Sequence, residues 1–113
     1  MNKNRIIPPI KLFSNDLHKI TKKDDEYFLK ERKVNKIELC GFLYDITPNN
    51  FKLVDFYGEI NCDSRIELFK PDSYVILCYI INDKLTCVSA KNVGYYEEIF
   101  FWIEAVKYSK YIQ

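Results

Sequence analysis

One histidine and three glycines are present in the 113 residues of this chain, and those two scarcities remove whole classes of chemistry. With glycine only at positions 41, 58 and 94, no phosphate-cradling glycine loop can be drawn. His18 lies in a charged segment with no Ser or Cys nucleophile pattern near it, so it reads as a surface helix residue. Cys40, Cys62, Cys78 and Cys87 contain no C-x-x-C spacing, and one histidine cannot complete a zinc set with them. Each cysteine sits in an apolar run, where free thiols act as small core residues; a reducing compartment is expected. No cofactor or metal is implied. No apolar run approaches the ~18–20 residues that cross a bilayer. The opening MNKNRIIPPIKLF has too short an apolar stretch for a signal peptide and no small-residue cleavage site, so an intracellular protein is expected. A charge excess is missing as well: 17 basic against 16 acidic residues leave a net charge of +1. That balance argues against strong, solitary, nonspecific DNA binding, but it leaves room for a modest groove or a site shared with another subunit.

What the chain does have is apolar and aromatic content, 48% and 16% of its residues. A single domain of ~100–150 residues is the expectation, and it can bury roughly two-thirds of its unfolded surface. Residues 1–35 read as an extended arm with a short helix over 16–21, for which Ser14 and Asn15 are candidate caps. The stretch 22–33 is crowded with charge but interrupted by Tyr27, Phe28 and Leu29, and reads as a solvated connection with a docked apolar patch. From 36 the pattern changes to period two. Ile37, Leu39, Gly41 and Leu43 share one face of a long strand over 36–47; Glu38, Cys40, Phe42 and Tyr44 share the other. Gly41 predicts a bend there, so that one strand can serve two edges of a closing sheet. Turns at Pro48-Asn49-Asn50 and Tyr57-Gly58 delimit strands over 51–56 and 59–62. A crossing segment over 63–72 leads to the apolar strand 73–81, and Asn82-Asp83 turns it into a last strand over 84–91.

The segment 95–112 has no Pro or Gly and shows helical spacing, with Glu97 and Glu98 early and Lys107 and Lys110 late, as the helix dipole favours. It carries two apolar stripes. Tyr96, Ile99, Ile103 and Val106 form one, at i, i+3, i+7 and i+10. Phe101, Ala105, Tyr108 and Ile112 form the other, with Trp102 between them. One stripe can pack on the barrel. The second, taken as Phe101, Trp102, Ala105, Tyr108 and Ile112, is expected to hold a partner, unless the N-terminal arm folds over it.

The element order predicts an all-β domain with helices: a five-stranded OB-fold barrel with a long C-terminal helix, together over 36–113, preceded by the short N-terminal helix. No catalytic set accompanies it. Asp24-Asp25-Glu26 is a solvated charge run, and Asp45 and Asp55 have turn and rim positions with no implied pocket. Barrels of this class bind strands on the face of their second and third strands and with flanking loops. Aromatic rings stack on unpaired bases and cations follow phosphates, which singles out Lys52, Phe56, Tyr57 and Arg65, then Lys70 and Lys84.

The segment GFLYDITPNNFKLVDFYGEINC resembles the barrel core shared by the middle subunit of replication protein A and the Stn subunit of the telomere-capping CST complex. Those domains have a strand with a mid-strand glycine, a short turn, and a strand ending in D-D-g-T-G, followed by I and C. Asp55 stands at the first aspartate, Phe56 replaces the second, Tyr57 stands for the threonine, and Gly58, Ile60 and Cys62 fit. The lead NVGYYEEIFFW into the last helix and the earlier IKLFSNDLHKI are similar too. The resemblance implies a noncatalytic subunit that pairs with a small, Ten-like OB-fold partner through its C-terminal helix. It also implies protection of telomeric single-stranded DNA in the nucleus. A protein-interaction scaffold of a replication or repair complex, without its own DNA contact, is the alternative.

Overall fold

The computed structural model describes residues 9–68 and 70–110. Its strands are β1 (Ile10–Lys11), β2 (Ile20–Lys23), β3 (Glu26–Leu29), β4 (Arg32–Lys33), β5 (Lys36–Tyr44), β6 (Asn50–Asp55), β7 (Gly58–Ser64), β8 (Asp72–Ile81) and β9 (Lys84–Asn92). A 3-10 helix spans Ser14–Lys19, and α1 spans Tyr95–Ser109. Strands β5, β6, β7, β9 and β8 pair in that spatial order, and β8 pairs back onto β5 to close a barrel. Only β7 and β9 meet in parallel within it. This is the OB-fold that the sequence predicts.

Closure depends on β5. Its residues Lys36 to Leu43 pair with β8, while Phe42 to Tyr44 pair with β6, so one strand serves two edges. Gly41 stands at the changeover for a steric reason. A Cβ there would lie 2.4 Å from the Val54 carbonyl oxygen and 3.0 Å from the Leu53 side chain, far inside contact distance. The strand stops at Tyr44, short of the expected 47, because Asp45 takes a left-handed φ of 50°. Thr47 then ties the turn: its N–H donates to the Asn50 carbonyl at 2.9 Å. β7 is longer than expected for the opposite reason. Asp63 and Ser64 pair with Thr86 and Cys87, so the barrel's parallel seam needs them.

The alternation read along β5 holds inside the barrel, where Ile37, Leu39 and Leu43 are fully buried beside Phe51, Leu53 and Ile76. All four cysteines are free and buried, as expected. Cys62 and Cys78 lie sulfur to sulfur at 3.7 Å in the core. Asn82 and Asp83 both have positive φ, 52° and 66°, which is the two-residue primed turn that fits the twist of a hairpin.

Residues 20–33 depart from the expected connection. They form a three-stranded antiparallel meander, β2-β3-β4, with a two-residue turn at Asp24-Asp25 in which both φ values are positive. Its apolar patch does dock: Leu29 and the following Val34 join the barrel core, with Leu17 and Ile20 packed beside them. The short helix begins at Ser14, not Asp16. Its first turn is capped by the Asp16 carboxylate, which accepts the Phe13 backbone N–H at 3.1 Å. Ser14 and Asn15 are not caps, because both lie inside the helix and Phe13 holds the N-cap position; Ser14 gives both of its donors to Asp55.

Candidate nucleic-acid groove and partner face

Two turns project from one end of the barrel, and between them runs a polar cleft of about 410 Å³. Asn49 and Asn50 line it from the β5–β6 turn; Asp63, Ser64 and Arg65 from the end of β7; Asn82, Lys84 and Thr86 from the β8–β9 hairpin. The walls are fixed by backbone pairing. Ser64 N–H donates to the Asn49 carbonyl at 2.8 Å, and Arg65 N–H donates to the Cys87 carbonyl at 3.0 Å. Arg65 and Lys84 are exposed, and among the described residues neither forms an ion pair. Two unpaired cations, amides and hydroxyls in one cleft can hold a phosphate and hydrogen-bond the polar edge of a base.

The other sequence-predicted strand-binding residues lie apart from this cleft. Lys52 is mid-way along β6, between the carboxylates of Asp45 at 3.4 Å and Glu59 at 3.7 Å. Glu59 also accepts the Tyr44 hydroxyl, which pushes that phenol up to about 12. A phosphate approaching Lys52 therefore meets charge already matched. Lys70 sits in the crossing segment 3.7 Å from Asp72. The Asp72 carboxyl is held below its ordinary value, first by the Ser73 backbone N–H. Phe56 and Tyr57 follow the far end of β6, a strand of ~17–20 Å from the Asn50 end. Both are well exposed, 69% and 57%, but each already has an aromatic neighbour. Phe56 lies on Trp102 with centroids 4.5 Å apart, and Tyr57 meets Phe13 edge-on at 5.0 Å.

The helix α1 corrects the sequence expectation directly. Phe101 and Ala105, expected to face a partner, are 4% and 1% exposed and form a second small core with Phe13, Cys40 and Val93. Tyr108 is half-buried against the main core, with the Arg32 guanidinium over its ring. The physical reason is that Cys40 lies on the outer face of β5, and the segment before the 3-10 helix runs beside it. Barrel wall and arm together cover the stripe. Lys11 completes the cover, with its ammonium over the Phe101 ring and bridged to Glu38 at 3.1 Å and Glu104 at 3.4 Å. Ile112 lies outside the described residues. Trp102 stands at the edge, half-buried, and its indole N–H has no hydrogen-bond partner among the described residues.

The stripe left open is the one expected to pack. Tyr96, Phe100, Ile103 and Val106 are exposed, and Ile99 half so. Ile99, Trp102, Ile103 and Val106, with Lys107, border a shallow, almost wholly apolar depression. Phe56, tilted against the Trp102 ring, continues the apolar surface onto the barrel corner. The outward pair Phe42 and Val54, opposite each other on β5 and β6, is exposed as well. Sequence reasoning missed the groove's asparagines, although it placed turns at 48–50 and 82–83. In a barrel of this topology those two turns flank one end, and that was the available signal.

Comparison with solved structures agrees with the topology. A chain of a replication protein A heterotrimer bound to single-stranded DNA superposes with a TM-score of 0.73 at 13% identity, covering 95% of this chain and 99% of that one. A chain from yeast Stn1 and Ten1 gives 0.69 at 14% identity, covering 93% and 74%. The S. pombe Stn1–Ten1 complex gives 0.59 at 13%, covering 91% and 94%. At such identities these likenesses establish the OB-fold alone. In sequence, the uncharacterized protein ECU03_1140 of Encephalitozoon cuniculi (strain GB-M1) is 33% identical over 110 residues, covering 91% of this chain and 92% of its own. The profile of the ECU03_1140 family matches residues 37–108, and this chain belongs to that family.

Proposed function

We propose that this protein is a noncatalytic OB-fold subunit of a nuclear, replication protein A-like complex that protects single-stranded telomeric DNA, binding the strand jointly with a small, Ten-like OB-fold partner. The observation that carries the reading is the cleft between the β5–β6 and β8–β9 turns, where Arg65 and Lys84 stand unpaired among amides. The solved replication protein A and Stn1–Ten1 chains support it by sharing the fold. The open stripe of α1 gives the partner a place, and sharing the strand explains a groove with so few cations. Two phosphate contacts release few counterions, so the protein by itself binds weakly. Fluorescence anisotropy with a labelled oligodeoxynucleotide, titrated against salt, tests this. Two neutralised phosphates give a slope of log K against log salt of roughly −1.4.

A scaffold without strand contact is the second reading, favoured by the neutralised Lys52 and by the ring contacts that Phe56 and Tyr57 already make with Trp102 and Phe13. No measurable binding at low salt, alone or with the co-purified partner, would select it.

A further inference from the structure

The meander β2-β3-β4 touches the barrel again at the tip of the β8–β9 hairpin. Asp83, the second residue of that turn, accepts from the Lys22 ammonium at 2.9 Å and from the Tyr27 hydroxyl. Lys22 also lies over the Tyr27 ring, 5.8 Å from its centroid. Beneath this bridge is an apolar cavity of about 240 Å³, bordered by Leu17, Ile20, Ile37, Ile80 and Leu85. The cavity leaves the hairpin tip without continuous packing below it. What holds the tip to the meander is the polar bridge. The residues on either side of Asp83 in the chain, Asn82 and Lys84, both line the groove.

We propose that β2 and β3 form a latch on the β8–β9 turn, with Lys22 and Tyr27 as positioning residues that set Asn82 and Lys84 in the groove through Asp83. The groove's role as a strand site rests on the function proposed above; the latch itself does not. A lone exposed ion pair holds little. Here two donors converge on one carboxylate, and they hold a turn whose two residues both need left-handed backbone, which few side chains accept. The Tyr27 hydroxyl, then Lys22, hold the Asp83 carboxyl below its ordinary value, so the acceptor stays ionised at neutral pH.

Two variants of the full chain test the latch. Tyr27→Phe removes one donor without changing charge and keeps the ring that borders the cavity. Asp83→Asn keeps a residue that tolerates the turn's backbone and removes the shared charge. In both, amide hydrogen exchange at the paired tip residues Ile81 and Lys84 is expected to quicken roughly tenfold, with the overall melting temperature nearly unchanged. Unchanged exchange at the tip in both variants overturns the latch. Strand affinity supplies a second readout with opposite signs. If Asp83 is only a bystander charge, Asp83→Asn strengthens binding of an oligodeoxynucleotide; a latch predicts roughly three- to tenfold weaker binding. Tighter binding by Asp83→Asn also overturns the proposal. If the unaltered protein binds no strand at all, the functional reading fails, and the exchange rates alone decide the latch.

Discussion

Asp55 holds Ser14 by two hydrogen bonds, one from the backbone N–H at 2.7 Å and one from the hydroxyl at 2.6 Å. The same carboxylate accepts the Tyr57 N–H at 2.9 Å, two residues along. One side chain therefore shapes the β6–β7 corner and ties the N-terminal 3-10 helix to it across 41 residues of chain. That gives the first aspartate of the corner motif a physical task, which is structural. Asp55→Ala leaves three donors to find new partners in a part-buried site. A loss of about 2–3 kcal/mol in urea unfolding is expected, against about 1 kcal/mol for Ser14→Ala. Equal small losses in both would mean the carboxylate is not the centre of the junction.

How much of this was readable beforehand follows from which signals are local. The barrel strands were legible because alternation, Gly41 and the turn residues are written within a few positions of one another. The meander was hidden because its strands are short and charged: Thr21, Lys22 and Lys23 carry no apolar period, and Asp24-Asp25 is a weak turn signal beside Asn-Gly. Although α1 ends at Ser109 and not at 112, its start at Tyr95 and its two stripes were legible too. Which stripe faces inward was not, because that choice is made by Cys40, Val93 and Phe13, which come from three separate parts of the chain. A helix with two apolar faces carries no label for either. Likewise, cations at 65 and 84 could be named as candidates, but their meeting in one cleft is a property of closure.

The reversed faces of α1 give a paired prediction. Ile103→Glu, on the open stripe, is expected to abolish co-purification of the partner and to leave the melting temperature within a degree or two, since surface changes typically move stability by less than ~0.5 kcal/mol. Ala105→Arg places a charge where the native side chain is 1% exposed, and is expected to unfold the helix from the barrel at a cost of about 3 kcal/mol or more. Size-exclusion chromatography and thermal melts of both variants separate the two outcomes. Partner retention by the Ile103 variant would remove the open stripe from the interface.

Cation deletions sort the groove from its surroundings. Arg65→Ala and Lys84→Ala should each reduce the magnitude of the salt slope for single-strand binding by about 0.7. Lys52→Ala and Lys70→Ala should change it little, because those ammonium groups already face Asp45, Glu59 and Asp72. An equal effect from all four would describe a diffuse field and not a site.

The barrel closure makes Gly41 intolerant of any side chain. Gly41→Ala would drive its methyl into the Val54 carbonyl oxygen, a backbone atom that cannot turn aside. Separation of β6 from β5 would relieve the clash at the expense of their ladder, so a loss of about 3 kcal/mol or failure to fold is expected. Circular dichroism with urea unfolding reads this. A variant as stable as the parent would show that the Val54 carbonyl does not approach Gly41 so closely.

Tyr44 and Glu59 supply the alkaline prediction. The hydrogen bond to the Glu59 carboxylate favours the neutral phenol and lifts Tyr44 from its ordinary 10 to about 12, with lesser contributions from desolvation and the negative charges nearby. A protonated form favoured by folding stabilises the protein below the unfolded phenol's value. That contribution is complete under pH ~10 and is lost as pH rises toward about 12, when the folded phenol ionises as well. Ultraviolet titration of the tyrosines should therefore show Tyr44 ionising late, alongside Tyr27, which its hydrogen bond to Asp83 also raises, and Glu59→Gln returns only Tyr44 toward 10. The same substitution removes one of the two carboxylates beside Lys52, leaving Asp45 as its remaining partner. If Glu59 is what keeps the β6–β7 face electrostatically silent, Glu59→Gln also strengthens single-strand binding at low salt, and it does so only while Lys52 is present. Equal strengthening in a Lys52→Ala background would assign the gain to the general loss of negative charge instead.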